Sequence, residues 1–325
     1  MKLRRRTFLS LLAGAAAVPS PITIAAADTY PSRPIHLVVG FTPGAASDVI
    51  GRLFAQSAGP LVGQDIVVEN KPGAGSLIAA QYVARAAKDG YTLFLPALST
   101  LTNVIINPAA TVDIGRDFAP IALLAIGTVV LVVNPVSNIH SVAELIALAK
   151  AKPGQVLYGS TGQGSLPQLA AELFAQRAGV KLTHVPYPGS PQITQDLLAN
   201  RITMSFTIAS SVIGQIAAGQ ITALATAASK RPSALPNVPT MAEAGMPDFD
   251  TGLWLGLAAP AGTPRPALEK IAAAAHKAMH TPRAVESLRK QGYTPLDAGP
   301  DAFAEFLRKE TTRWTAVARA AGMKR

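Results

Sequence analysis

Apolar positions along this chain fall into two alternating kinds of stretch. Short continuous runs read as buried strands. Longer stretches with apolar residues three and four apart read as helices packed on a sheet. IHLVVGF (35–41) is the first strand; TPGAAS stops it, and a helix is predicted from Ser47 or Asp48 to about Ala58. IVVEN (66–70), a KPGAGS turn (71–76), a helix over LIAAQYVARAA (77–87) and a strand over YTLFLPA (91–97) follow. This β-α-β-α-β order predicts a sheet with parallel strands and covering helices.

DFAPIALLAI (117–126) and TVVLVVNP (128–135) read as strands joined by Gly127, and a domain crossing is placed near them. SVAELIALAKAKPG (141–154) is a helix with Ser141 as N-cap and Glu144 three residues on. VLYGS (156–160), LTHVPY (182–187), ITMSF (202–206) and ITALATA (221–227) are the next strands. Helices are expected from the loop after Ser160 to Arg177, over 193–200 and over 211–219. The Pro-rich stretch 232–247 reads as a surface segment, WLGLAAP (254–260) as a strand returning to the first half, and 265–280 and 300–322 as closing helices. The expected organisation is therefore α/β: lobe 1 from 28–130 plus 252–325, lobe 2 from 131–251, joined by two strands. A two-strand hinge suits closure on a ligand.

Two loops stand out. GFTPGAASDVIGRLFAQSAG (40–59) and GSTGQGSLPQLAAELFAQRAG (159–179) both run into a helix that ends in LFAQ, one residue, then AG. Gly44 and Gly164 each lie nine residues before the Leu of LFAQ, so the loops hold like positions in the two halves. A helix N-terminus leaves amides unpaired and carries roughly half a positive charge. A Gly/Ser loop before it lets amides converge on an anion. Gly44, Ser47 and Asp48 in the first loop, and Ser160, Thr161, Gly162, Gly164 and Ser165 in the second, are the candidates. Such turns also occur with nothing bound, and the shared LFAQ is built of ordinary helix residues.

Composition narrows the function. The chain has 325 residues, 49% hydrophobic and 15% charged, long enough for two cores. MKLRRRTFLSLLAGAAAVPSPITIAAA (1–27) has a basic start, a short apolar run and a small-residue end, the pattern of an export signal. Arg5-Arg6 fits a twin-arginine signal, Arg4 makes a triple, and Tat and Sec routes both stay open. The signal carries four cations and no acid, so removing it takes the formal charge from +10 to +6. The remaining cations are scattered, which argues against nucleic acid and fits attraction of small anions. With no cysteine there is no disulfide, thiol nucleophile or lipid anchor site, and a free periplasmic protein is expected. No nucleophile elbow, phosphate loop or complete dinucleotide fingerprint occurs. The five histidines lack metal spacing, although His276 and His280 are four apart. A hydrolase using Ser160 or Ser99 has no base visible nearby, and no cofactor or metal is expected.

GFTPGAASD, VVENKPGAG, KDGYTLFL, DFAPIALL, YGSTGQGS, VPYPG, QDLLAN and LPNVPTMAEAGMPDF, in this order, resemble the Bug family over residues 30–322. These are the periplasmic solute-binding components of tripartite tricarboxylate transporters. The resemblance implies a type II-like periplasmic binding protein with a deep cleft between two lobes. It also implies a small carboxylate held by main-chain amides, hydroxyls and waters from the two loops. The implied partners are inner-membrane transporter subunits or, alternatively, a sensor kinase ectodomain; a monomer is expected. On that basis Phe41 and Tyr187 flank the ligand body, and Ser99 and Thr100 end the third strand where α/β sheets bind ligands. Gly44, Ala45, Gly189 in the PYPG turn, and Thr207 and Ala209 after ITMSF complete the expected site. Asp196 matches the family's Asp and either fixes its helix or accepts a bond from the ligand. The chain departs from the family pattern at Ala45 and Ala46, at Gln168 where His is usual, and at Pro188 where Lys is usual. Loss of a cation shifts the expected ligand from a trianion towards a monocarboxylate, or a dicarboxylate with an apolar body.

Overall fold

The computed structural model describes residues 30–249, 251–290 and 292–323. The expected signal and its cleavage after Ala27 lie outside the described residues. In chain order the first half contains β1 (Ile35–Val39), α1 (Ala46–Val62), β2 (Ile66–Asn70), α2 (Leu77–Ala84), β3 (Thr92–Leu95), α3 (Leu98–Ile106) and β4 (Phe118–Gly127). The second half contains β5 (Val129–Val133), α4 (Val142–Ala151), β6 (Val156–Ser160), α5 (Leu166–Ala178), β7 (Leu182–Pro186), α6 (Ser190–Leu198), β8 (Met204–Ile208), α7 (Ile213–Ala217) and β9 (Thr222–Thr226). The chain then returns through β10 (Leu253–Pro260), α8 (Arg265–Met279), α9 (Pro282–Lys290), β11 (Tyr293–Ala298) and α10 (Pro300–Ala320).

Two mixed sheets result, ordered β11-β4-β10-β3-β1-β2 and β7-β6-β8-β5-β9. The fold is a two-lobed α/β architecture. β4 ends at Gly127 in one sheet and β5 starts at Val129 in the other, so the pair expected to be joined by Gly127 separates at Thr128. β10 antiparallel to β4 brings the chain back. β5, VVLVV, is buried at every position between β8 and β9, which explains its lack of alternation. β11 contains Pro295 and takes the edge of its sheet, where a missing N–H costs least.

α3 was not expected from LSTLTNVII, whose β-branched residues favour a strand. Leu98, Leu101 and Val104, three apart, are buried against the core, and that packing decides for helix. The sequence pattern likewise does not mark α9 and β11. α6 starts three residues earlier than expected, and β8 ends two residues later, at Ile208. The Pro-rich segment is not purely surface: Leu235, Met241 and Met246 are buried, and Met241 N–H donates to Thr226 C=O.

α10 ties the halves together by packing on β4, α3 and α5. Its buried stripe is Phe303, Leu307, Glu310, Trp314 and Val317, spaced by four and three. Each large apolar member contributes about 1.5–3 kcal/mol through burial. Glu310 is tolerated inside because Oε2 accepts from both Trp254 Nε1 (3.1 Å) and Trp314 Nε1 (2.9 Å).

Candidate functional site

Four strand-to-helix junctions point into one cleft of about 280 Å3 between the sheets. From lobe 1, Ala45, Ala46 and Ser47 bring the start of α1, and Ala97 and Ser99 the start of α3. From lobe 2, Ser165, Leu166 and Pro167 bring the start of α5, and Ser190 that of α6. None of the four has a side-chain cap. Ser165 Oγ turns back to the Gly162 carbonyl (2.7 Å) rather than forward onto α5. By contrast α4 is capped by Ser141 Oγ, which accepts from Glu144 N–H. The cleft-side helix ends keep partial positive charge available to an anion. No charged side chain is among the described residues that line the cleft.

The two loops are fastened by one device. Gly44 N–H donates to Asp48 Oδ2 (2.9 Å), and Gly164 N–H donates to Gln168 Oε1 (2.7 Å). Both glycines are left-handed, φ +83° and +73°, a conformation costly for other residues. Their amides are thus occupied within the loop. α1 begins at Ala46, one residue before the expected start, and neither Ser47 nor Asp48 caps it.

Asp48 lies behind the cleft and is 2% exposed. It accepts from Arg52 Nε (3.0 Å) and from Asn70 Nδ2 (2.8 Å), which also reaches the Phe41 carbonyl (2.9 Å). Burial raises the Asp48 carboxyl, but the bonds from Arg52, Gly44 and Asn70 outweigh it and hold the carboxyl below its ordinary range.

The second loop rests on Ser160, which is fully buried. Its Oγ meets His184 Nε2 (2.5 Å) and accepts from Gly162 N–H (3.1 Å). His184 stacks on Tyr158, whose hydroxyl donates to Glu172 Oε1 (2.5 Å). Gln168 Oε1 faces Gly164 N–H, so its Nε2 faces His184 Nδ1 (3.5 Å). With Nδ1 accepting, Nε2 carries the proton and donates to Ser160. The base not visible in the sequence is therefore adjacent, but oriented to hold Ser160 rather than deprotonate it. Burial lowers the His184 pKa, keeping the ring neutral near pH 7.

Of the residues singled out in the sequence, Phe41, Ala45, Ser47, Ser99, Thr161 and Thr207 meet at the cleft. Gly44, Asp48, Ser160, Gly162 and Gly164 form the fastenings behind it. Thr100 is buried, and its Oγ1 accepts from Ala97 N–H at the start of α3. Tyr187 donates to Asp196 Oδ2 (2.8 Å), and Asp196 pairs with Arg201 (3.0 Å), beside the α6 junction where Gly189 is N-cap. Ala209 is buried below Thr207. The cleft also includes residues the sequence did not mark: Val129, Phe206, Ile208, Leu253, Leu255 and Tyr293. These are apolar strand positions with no local signal that separates a cleft floor from a core.

No helix among the described residues is long and apolar enough to cross a membrane. Residues 50–323 match the family described as "Tripartite tricarboxylate transporter family receptor". The chain is 34% identical to Protein BugT of Bordetella pertussis over 97% of each chain. An adipate-bound protein of R. palustris is 32% identical with TM-score 0.75, covering 91% of this chain and 99% of that one. MatC from Rhodopseudomonas palustris with bound malate is 30% identical with TM-score 0.72, covering 89% and 99%.

Proposed function

The chain belongs to the tripartite tricarboxylate transporter receptor family, and from that premise we propose that it captures one small organic carboxylate between its lobes and hands it to inner-membrane transporter subunits. It is a periplasmic-type solute receptor, not an enzyme. The observation that carries the carboxylate reading is the meeting of four uncapped helix starts at a cleft lined by no charged side chain. Main-chain amides and the hydroxyls of Ser47, Ser99, Thr161 and Ser190 hold the carboxylate, and the helix dipoles neutralise it. A ligand touching both lobes favours the closed arrangement, which the transporter subunits then recognise. Adipate and malate in the related structures belong to the same chemical class.

Thermal denaturation with mono-, di- and tricarboxylates tests this. At a hundredfold excess over Kd a bound acid adds about 2.7 kcal/mol of stability. At least one acid raises Tm while its amide does not. A flat response across all acids removes the carboxylate reading.

A further inference from the structure

The strand orders divide the cleft into two unlike ends. In lobe 1, α1 and α3 follow β1 and β3, whereas β11 stands four strand spacings from β1, about 19 Å at about 4.8 Å each. In lobe 2, α5 and α6 follow β6 and β7 on one side, and the ends of β8 and β5 lie on the other. Two cross-lobe contacts bring like sides together. Thr102 Oγ1 on α3 donates to the Gly164 carbonyl (2.9 Å) before α5. At the opposite side Thr128 N–H donates to the Gly292 carbonyl (3.0 Å), and Ala209 N–H donates to the Thr128 carbonyl (2.9 Å), linking β11 to the end of β8. The helix starts therefore share one pole. Val129, Phe206, Leu253 and Tyr293 form the other, which is apolar.

Tyr293 is the exception within that apolar pole. It is 4% exposed, and its ring lies against Gly127, where a Cβ would come within 3.1 Å of it. Tyr30, Tyr158 and Tyr187 each direct the hydroxyl to a protein acceptor. The Tyr293 hydroxyl has none among the described residues, and Tyr293 is part of the cleft lining. Burial pushes its pKa up, so it stays a neutral donor. Thr207, a polar residue of the same lining, is bonded to Ser211 Oγ (3.2 Å). The Tyr293 oxygen is not one of the sealed side-chain atoms that lack a partner among the described residues, so it stays open to water, which a ligand group can replace.

Building on the carboxylate reading above, we infer that Tyr293 selects the far end of the ligand. It binds an uncharged hydrogen-bonding group, a hydroxyl or carbonyl, on the apolar body of a monocarboxylate. A second carboxylate there meets no cation and no helix start of two turns or more among the described lining residues, so its desolvation is uncompensated. The favoured class is a monocarboxylate with a polar, neutral terminus, over the dicarboxylate of equal length.

Calorimetric titration of the wild-type protein and Tyr293→Phe with hexanoate, octanoate, their ω-hydroxy derivatives, adipate and suberate tests this. The variant keeps the ring and deletes one oxygen, and circular dichroism checks its fold. In the wild type the ω-hydroxy acid binds about five- to tenfold more tightly than the plain acid of equal length. In Tyr293→Phe that ratio falls to near one. A ratio unchanged by the substitution, or adipate and suberate outcompeting the ω-hydroxy acids, overturns the assignment of Tyr293 alone. Failure of every acid to bind the wild type, with no Tm response to any carboxylate, overturns the carboxylate reading itself.

Discussion

The two loop–helix units share their geometry and differ in charge. In each, a left-handed glycine donates its N–H to the side chain four residues on, in the first turn of the helix. In lobe 1 the acceptor is Asp48, a carboxylate inside a network with Arg52 and Asn70. In lobe 2 it is Gln168, neutral and next to a neutral His184. An anchoring carboxylate opposes an incoming anion unless its charge is balanced; Arg52 balances Asp48, and Asn70 adds a neutral hydrogen bond. Lobe 2 closes the glycine amide on a neutral group, and its carboxylate, Glu172, sits one turn further along α5 behind Tyr158, which leaves α5 as the stronger pole for a bound carboxylate.

The largest expected contrast comes from deleting each acceptor. Asp48→Ala strands Gly44 N–H and removes the charged acceptor of Asn70 and Arg52, which keep their bonds to the Phe41 carbonyl and to each other; it costs about 2–3 kcal/mol, because charged hydrogen bonds are the stronger kind. Gln168→Ala strands one amide and costs about 1–2 kcal/mol. Urea denaturation of both variants reads the difference, and equal costs erase the charged-versus-neutral distinction.

A smaller contrast separates the glycines themselves. Gly44→Ala meets nothing within 4 Å, so only the left-handed backbone resists, by about 1–2 kcal/mol. In Gly164→Ala the new Cβ stands 2.4 Å from Ile106 Cδ1, which adds a clash across the lobes. Ile106 Cδ1 is the far end of its side chain and can shift, so Gly164→Ala is the less stable of the two by up to about 1 kcal/mol. A lower Tm for Gly44→Ala reverses this ranking.

The smallest contrast is in pH. The unfolded His184 titrates near 6.5 and the folded one lower, so the unfolded chain binds more protons between those values. Its contribution is complete above 6.5 and is lost as pH falls towards the lowered folded value. Asp48 has the carboxylate pattern: its contribution is present above 3.8 and is lost as pH falls through a still lower folded value. Tm of the wild type thus begins to fall below pH 6.5, and His184→Asn removes that first decline while leaving the steeper one in stronger acid. An unaltered profile in His184→Asn shows that the second loop does not titrate.

Much of the architecture is written locally. The runs at β1, β5, β6 and β10 carry their burial in their own composition, and Ser141 marks the start of α4 as a cap should. The matched spacing of Gly44 and Gly164 is enough to disclose the paired loops. Asp48 and Gln168 are visible in the same stretches, but not that they close on the glycines. α3 is hidden because Thr100, Thr102 and Val104 favour a strand until Leu98 and Leu101 find the core.

Sequence by itself determined two α/β halves, two glycine-led helix starts and the absence of a cationic cluster to serve them. These rest on contacts within a few residues, so composition and spacing suffice. Tertiary structure alone decided that β4 and β5 part at Thr128, that four helix starts converge, and that Tyr293 lines the cleft with its hydroxyl unpartnered among the described residues. Those facts depend on strand order across two sheets. Residues remote along the chain become neighbours only when the second crossing closes, and no local pattern encodes that order.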